Sequence, residues 1–81
     1  MTNSEFKEKI REFENKVHEE GYPDIYFKRY DMYSGGFGIQ CMHKDYAEMC
    51  YATGTSGGFE EKYQRLLFMF EHYVKNNPKY M

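Results

Sequence analysis

The sequence predicts a single α+β domain, ordered helix, strand, strand, strand, helix, with two helices packed on one face of a three-stranded antiparallel sheet. Three observations carry this expectation. Apolar residues recur at helical spacing near both ends, the middle third alternates with a period of two, and glycine-bearing segments separate the periodic runs. A length of 81 residues admits one domain, 1–81, and no more.

Helix 1 is read from its stripe Phe6, Ile10, Phe13 and Val17. Thr2 and Glu5 fit a capping box, in which each side chain satisfies the other residue's backbone N–H. Gly21 and Pro23 supply the stop, so the helix is expected over about 3–20. Its opposite side carries Glu5 with Lys9 and Glu12 with Lys16, pairs four residues apart, a solvated face.

Three strands are expected next, over about 24–33, 37–43 and 46–53. Ser34-Gly35-Gly36 suits a hairpin turn, because glycine accepts positive φ without a steric penalty. For the second hairpin the expected register pairs Met42 with Met49, Cys41 with Cys50, Gln40 with Tyr51 and Ile39 with Ala52. Phe37, Ile39, Cys41, Cys50 and Ala52 then form the buried face. In strand 1, Ile25 and Phe27 suggest one inward parity, whereas a turn at Gly35-Gly36 sends Tyr30 and Met32 inward. A bulge near Lys28 or Arg29 would reconcile the two. Segment 46–52 also has the composition of a short helix.

After Gly54-Thr55-Ser56-Gly57-Gly58, the stripe Phe59, Tyr63, Leu66, Leu67, Phe70 and Val74 predicts helix 2 over about 58–75. Asn76, Asn77 and Pro78 end it, leaving Lys79-Tyr80-Met81 as a short tail.

Seven Phe and nine Tyr supply the apolar bulk that the few aliphatic residues do not, so a compact core is expected. A formal net charge of −2 gives no overall attraction to nucleic acid. No run approaches the roughly 18 apolar residues of a membrane span, and the N-terminus lacks the apolar stretch of a signal peptide. The expected compartment is the cytoplasm, where Cys41 and Cys50 would be reduced thiols.

The order of elements resembles that of the double-stranded RNA-binding domain over most of the chain. That family reads RNA through basic residues at the start of its second helix. The corresponding positions here are Phe59-Glu60-Glu61-Lys62, which would set two carboxylates against phosphates, so no binding residue of the family carries over.

Other constellations point to structure more than to chemistry. Cys41, His43 and Cys50, with a distant His72, lack the paired spacing of zinc ligands, and neither a metal nor another cofactor is expected. The loop Thr53–Gly58 matches neither phosphate-binding glycine motif and reads as a turn and cap. His18 and His72 sit among charged helix neighbours. No nucleophile, base and orienting group come together, so an enzyme is not expected.

The remaining signal is the sheet face that two helices would leave open. Tyr26, Tyr33, Gln40, Met42, Met49 and Tyr51 are the expected partner-binding residues, since Tyr and Met bring large, adaptable contact area. The function this predicts is a non-enzymatic protein-binding module, with homodimerisation as a second use of the same face. A small stoichiometric inhibitor or adaptor of a larger enzyme, such as a phage-encoded inhibitor of a host defence protein, falls within that class. A nucleic-acid-binding domain is the alternative.

Overall fold

In a computed structural model the chain is described over residues 1–80, the side chains of 46–51 apart. The α+β class holds. Helix α1 (Asn3–Glu19) leads through a short turn into the strands β1 (Ile25–Asp31) and β2 (Phe37–His43). β3 (Tyr46–Ala52) runs antiparallel along the far side of β2, giving the order β1-β2-β3, and helix α2 (Phe59–Met69) follows.

α1 starts where its capping box forms: the Thr2 hydroxyl accepts the Glu5 N–H at 3.2 Å, and the Glu5 carboxylate accepts the Thr2 N–H at 3.4 Å. It ends as Gly21, at φ +106°, donates back to the His18 carbonyl. Tyr22 then drops into the core.

The core is aromatic and lies between the two helices and one face of the sheet. Phe6, Phe37 and Phe59 meet at one end, with ring centroids 5.0 to 5.8 Å apart. At the other end Tyr22 meets Phe70 edge-on at 5.3 Å, among Val17, Ile25, Cys41 and Val74. Phe13 joins the ends. Its ring stacks on Phe27 at 5.4 Å and meets Phe70 edge-on at 5.6 Å. Offset and edge-to-face pairs of this kind each add roughly 0.5 to 1.5 kcal/mol beyond area burial.

The first hairpin corrects the expected strand-1 geometry. Its connection has three residues, Tyr33-Ser34-Gly35, with Gly35 at φ +94°; Met32 donates to Gly36 O, and Gly35 donates to Met32 O. β1 accordingly ends at Asp31 rather than near 33. An odd loop length reverses the parity that a two-residue turn would impose, so Ile25, Phe27 and Arg29 face the helices. The pairing from Ile25↔His43 to Asp31↔Phe37 is unbroken, so the expected bulge at Lys28 or Arg29 is not needed. Tyr30 lies on the opposite face and Met32 is half exposed.

Irregularity falls in the second hairpin instead. Met42 is aligned with Met49 as expected, but Cys41 is aligned with Tyr51 and Gln40 with Ala52. The register shifts on both sides of Met42, and the β3 positions opposite Cys41 and Gln40 lie one residue further on than a uniform turn would place them.

The expected single helix over 58–75 also needs correction. α2 stops at Met69, and Phe70–Val74 form a π-helical turn closed by Lys75 N–H donating to Phe70 O at 2.8 Å. In an α-helix, residues four apart drift by about 40° per step around the axis. A wider turn keeps Leu66, Phe70 and Val74 on the core side, and all three are buried. The segment ends at Asn76 (φ +65°), whose N–H donates to the Tyr22 hydroxyl at 2.7 Å. The expected short tail is docked as far as Tyr80. Pro78–Tyr80 form a 3₁₀ turn, and Tyr80 is buried against Val17, Tyr22 and Val74 with its ring 6.0 Å from His43.

Phe70→Ala should cost about 3 to 5 kcal/mol in chemical denaturation, a large part of the stability of a domain this size. Tyr80→Ala should cost about 3 kcal/mol by the same route. An unchanged denaturation midpoint for the second variant would mean that the tail does not dock.

Candidate functional site

Because the even-numbered residues of β1 and β2 turn away from the helices, they assemble a second sheet face. Tyr26 is aligned with Met42, Lys28 with Gln40, and Tyr30 with Gly38. Tyr26, Tyr30, Gln40 and Met42 are half-buried there. Tyr30 lies flat across Gly38, which is buried beneath it; a Cβ at that glycine would collide with the phenol ring. An aromatic ring covering a strand glycine restores the contact that the missing side chain gives up. The face is therefore flat, aromatic and nearly uncharged, with Lys28 its one exposed cation among the described residues.

Of the partner-binding residues expected from sequence, the structure brings Tyr26, Gln40 and Met42 together. Tyr33 is not among them. It stands fully exposed in the hairpin loop, because β1 ends two residues before it. Met49 and Tyr51 sit on β3, and their side chains lie outside the described residues. Tyr30 and Lys28 were missed, since their parity depends on hairpin loop length. Ile25 and Phe27 were the signal that could have found them.

The other constellations read as structure. Cys41 is fully buried in the core, Cys50 has a side chain outside the described residues, and His72 is exposed with its ring 4.1 Å from Phe68. Among the described residues, Cys41 and His72 belong to no group of potential metal ligands. A different group does come close: side-chain atoms of Asp24, His43 and Asp45 lie within 4.8 Å of one another. The His43 Nδ1 there accepts the Asp45 backbone N–H at 3.1 Å, which assigns the ring proton of the neutral imidazole to Nε2. A metal at Nδ1 would have to displace that bond. Together with Lys44 N–H donating to Asp24 O at 3.0 Å, the contact instead braces the turn between β2 and β3.

The loop at 53–58 is braced in the same manner. The Thr53 hydroxyl accepts the Ile39 N–H at 3.1 Å and donates to Gly54 O, while Arg65 donates to Ser56 O and Lys62 to Gly57 O. Lys62 is buried, with its ammonium 4.3 Å above the Phe37 ring. The lysine that an RNA-binding reading would want at the start of α2 thus points inward, and Glu60 and Glu61 are left at the surface.

No helix is long and apolar enough to cross a membrane among the described residues. Comparison with protein-family models, curated proteins and solved structures returned no match.

The tautomer at His43 is directly measurable. Nitrogen-15 spectra should show a neutral ring protonated at Nε2, unchanged by excess zinc. A zinc-dependent shift of that ring would make the Asp24, His43, Asp45 group a metal site.

Proposed function

We propose that this chain is a non-enzymatic protein-binding module whose contact surface is the outer sheet face built on Tyr26, Lys28, Tyr30, Gln40 and Met42. The observation that carries the reading is the one-sidedness of the fold: α1 and α2 both pack on the face of Ile25, Phe27, Ile39 and Cys41. Nothing among the described residues covers the other face. Flat aromatic surface with an adaptable Met and few charges is what the centre of a protein interface favours. A soluble inhibitor or adaptor would use such a face by docking it against a larger partner, and a second copy of the chain could use it likewise.

Charge argues against nucleic acid as that partner. The outer face carries a single exposed lysine among the described residues, whereas phosphate binding draws most of its affinity from several cations.

The test pairs affinity capture from the source cell with amide hydrogen exchange on the captured complex. Protection is expected at residues 26–30 and 38–42. Gly38→Ala, which must lift Tyr30 off the face, and Met42→Ala should each weaken association by more than about 1 kcal/mol while moving the denaturation midpoint little. Glu8→Lys with Glu12→Lys, on the solvated side of α1, should bind as the wild type does. Protection confined to α1, with sheet variants that bind normally, would overturn the reading.

A further inference from the structure

The outer face is not the only unfinished part of the sheet. β1 has a strand on one side only, and its other edge runs beside α1. In an antiparallel ladder alternate residues bond to the partner strand, and those between them turn their N–H and C=O groups outward. Met32 N–H donates to Gly36 O, and Lys44 N–H donates to Asp24 O, so the even-numbered residues of β1 bond toward β2. The backbone groups of Ile25, Phe27, Arg29 and Asp31 therefore point to the open edge. Ile25 confirms the phase: its carbonyl accepts a hydrogen bond from His18 Nε2 on α1 at 2.6 Å. That contact closes one end of the edge, and at the other end the Arg29 side chain donates to Asn3 Oδ1 of α1 at 2.9 Å, which leaves the main-chain groups of Phe27 and Arg29 between the two.

Beside this stretch lies a cavity of about 170 Å³, lined by Phe6, Lys7 and Ile10 of α1, Phe27 and Arg29 of β1, and Ile39 of β2. Its floor is apolar, for Phe6 and Ile39 are buried. A cavity near 150 Å³ holds a benzene ring, so this one has room for a single large apolar side chain. A residue paired opposite Phe27 or Arg29 would point its side chain to the helix side of the sheet, where the cavity opens.

Charge selects the occupant. Lys7 and Lys28 are exposed cations, whereas Arg29, also exposed, is held by the Asp31 carboxylate at 3.3 Å and by Asn3 Oδ1 at 2.9 Å. Arg11 is excluded from the count, since its hydrogen bond and charge interaction with Glu8 raise its pKa and occupy it. A second copy pairing β1 with β1 through Phe27 and Arg29 would centre on Lys28 and set it directly against its own copy, and like charges directly across a strand pair are unfavourable. An acidic strand meets the opposite situation.

We propose that the open edge of β1 and its adjoining cavity take an extended acidic peptide segment of a partner protein. Its backbone would pair with Phe27 and Arg29, one apolar side chain would enter the cavity, a carboxylate two residues from it on the same face would meet Lys7, and the carboxylates next to it in sequence would meet Lys28 on the other face. This mode adds a strand to an existing sheet, with main-chain hydrogen bonds giving affinity and the pocket giving specificity. Its main-chain pairing and its cavity use the odd-numbered residues of the strand, and Lys28 is the one residue it shares with the outer face.

The probe is a seven-residue peptide, Glu-Glu-Glu-Leu-Glu-Val-Glu, blocked at both ends, titrated into the full chain at low salt. It should slow hydrogen exchange at the Phe27 and Arg29 amides and bind at least tenfold more tightly than the analogue with every Glu replaced by Lys. N-methylation of its central Leu should abolish binding. Lys7→Glu combined with Lys28→Glu, both at exposed positions, should reverse the preference between the two peptides. No saturable binding up to millimolar peptide would overturn the proposal. So would equal binding of the two peptides, protection only at residues 38–42, or a dimer whose Phe27 and Arg29 amides are already protected without peptide.

Discussion

The position of Phe13 is the constraint on which the rest of the molecule depends. Its ring is the one that contacts β1 through Phe27 and the end of α2 through Phe70, while also meeting Tyr63 edge-on at 6.5 Å. Both halves of the core pack against it. With so few aliphatic residues, the chain fills its interior with rings, and rings need defined angles as well as volume. The π-helical turn after Met69 and the odd-length hairpin loop both follow from keeping particular rings in contact. The turn holds Phe70 on the core side, and the loop puts Phe27 on the face where Phe13 waits.

That arrangement spends the apolar surface of both helices on one side of the sheet. A domain of this size buries only about 60% of the surface its unfolded chain exposes, and it has no third layer to cover the far side. The far side is instead finished locally, by Tyr30 lying over Gly38 and by Tyr26 beside Met42. Polar groups caught in the interior are likewise satisfied close at hand. Lys62 reaches the Gly57 carbonyl, the Thr53 hydroxyl takes the Ile39 N–H, and the His18 ring closes on the Ile25 carbonyl. Each of these contacts fastens a loop or helix end to the sheet, which explains how so small a core positions its connections.

The parts of this fold that were legible in sequence are those set by local rules. The Thr2 and Glu5 capping box, the Gly21 stop and the Phe6 to Val17 stripe each depend on residues within a few positions of one another. Parity in β1 was not legible, because one residue of loop length exchanges the two faces and Ser34-Gly35-Gly36 suits either length. The alignment of Cys41 and Gln40 with β3 was hidden for a different reason, the register shifts on either side of Met42. Docking of Tyr80 and the inward turn of Lys62 were hidden for another reason. Both depend on partners far away in the chain or on a carbonyl that only the folded loop presents. Of the candidate site, Tyr26, Gln40 and Met42 could be read from alternation alone, while Tyr30 required the loop to be right and Tyr33 was lost when it was.

The central claim is that the sheet has one face buried by both helices and one face left for contact. A soluble paramagnetic probe added to the isotope-labelled protein measures this directly, since it broadens resonances according to their distance from solvent. The account predicts strong broadening of the Met42 methyl and the Tyr26 and Tyr30 rings, with Ile25, Ile39 and Leu66 methyls spared, in a sample dilute enough to be monomeric. Equal protection of Met42 and Ile39 under those conditions would contradict it, because the outer face would then already be covered by the chain itself.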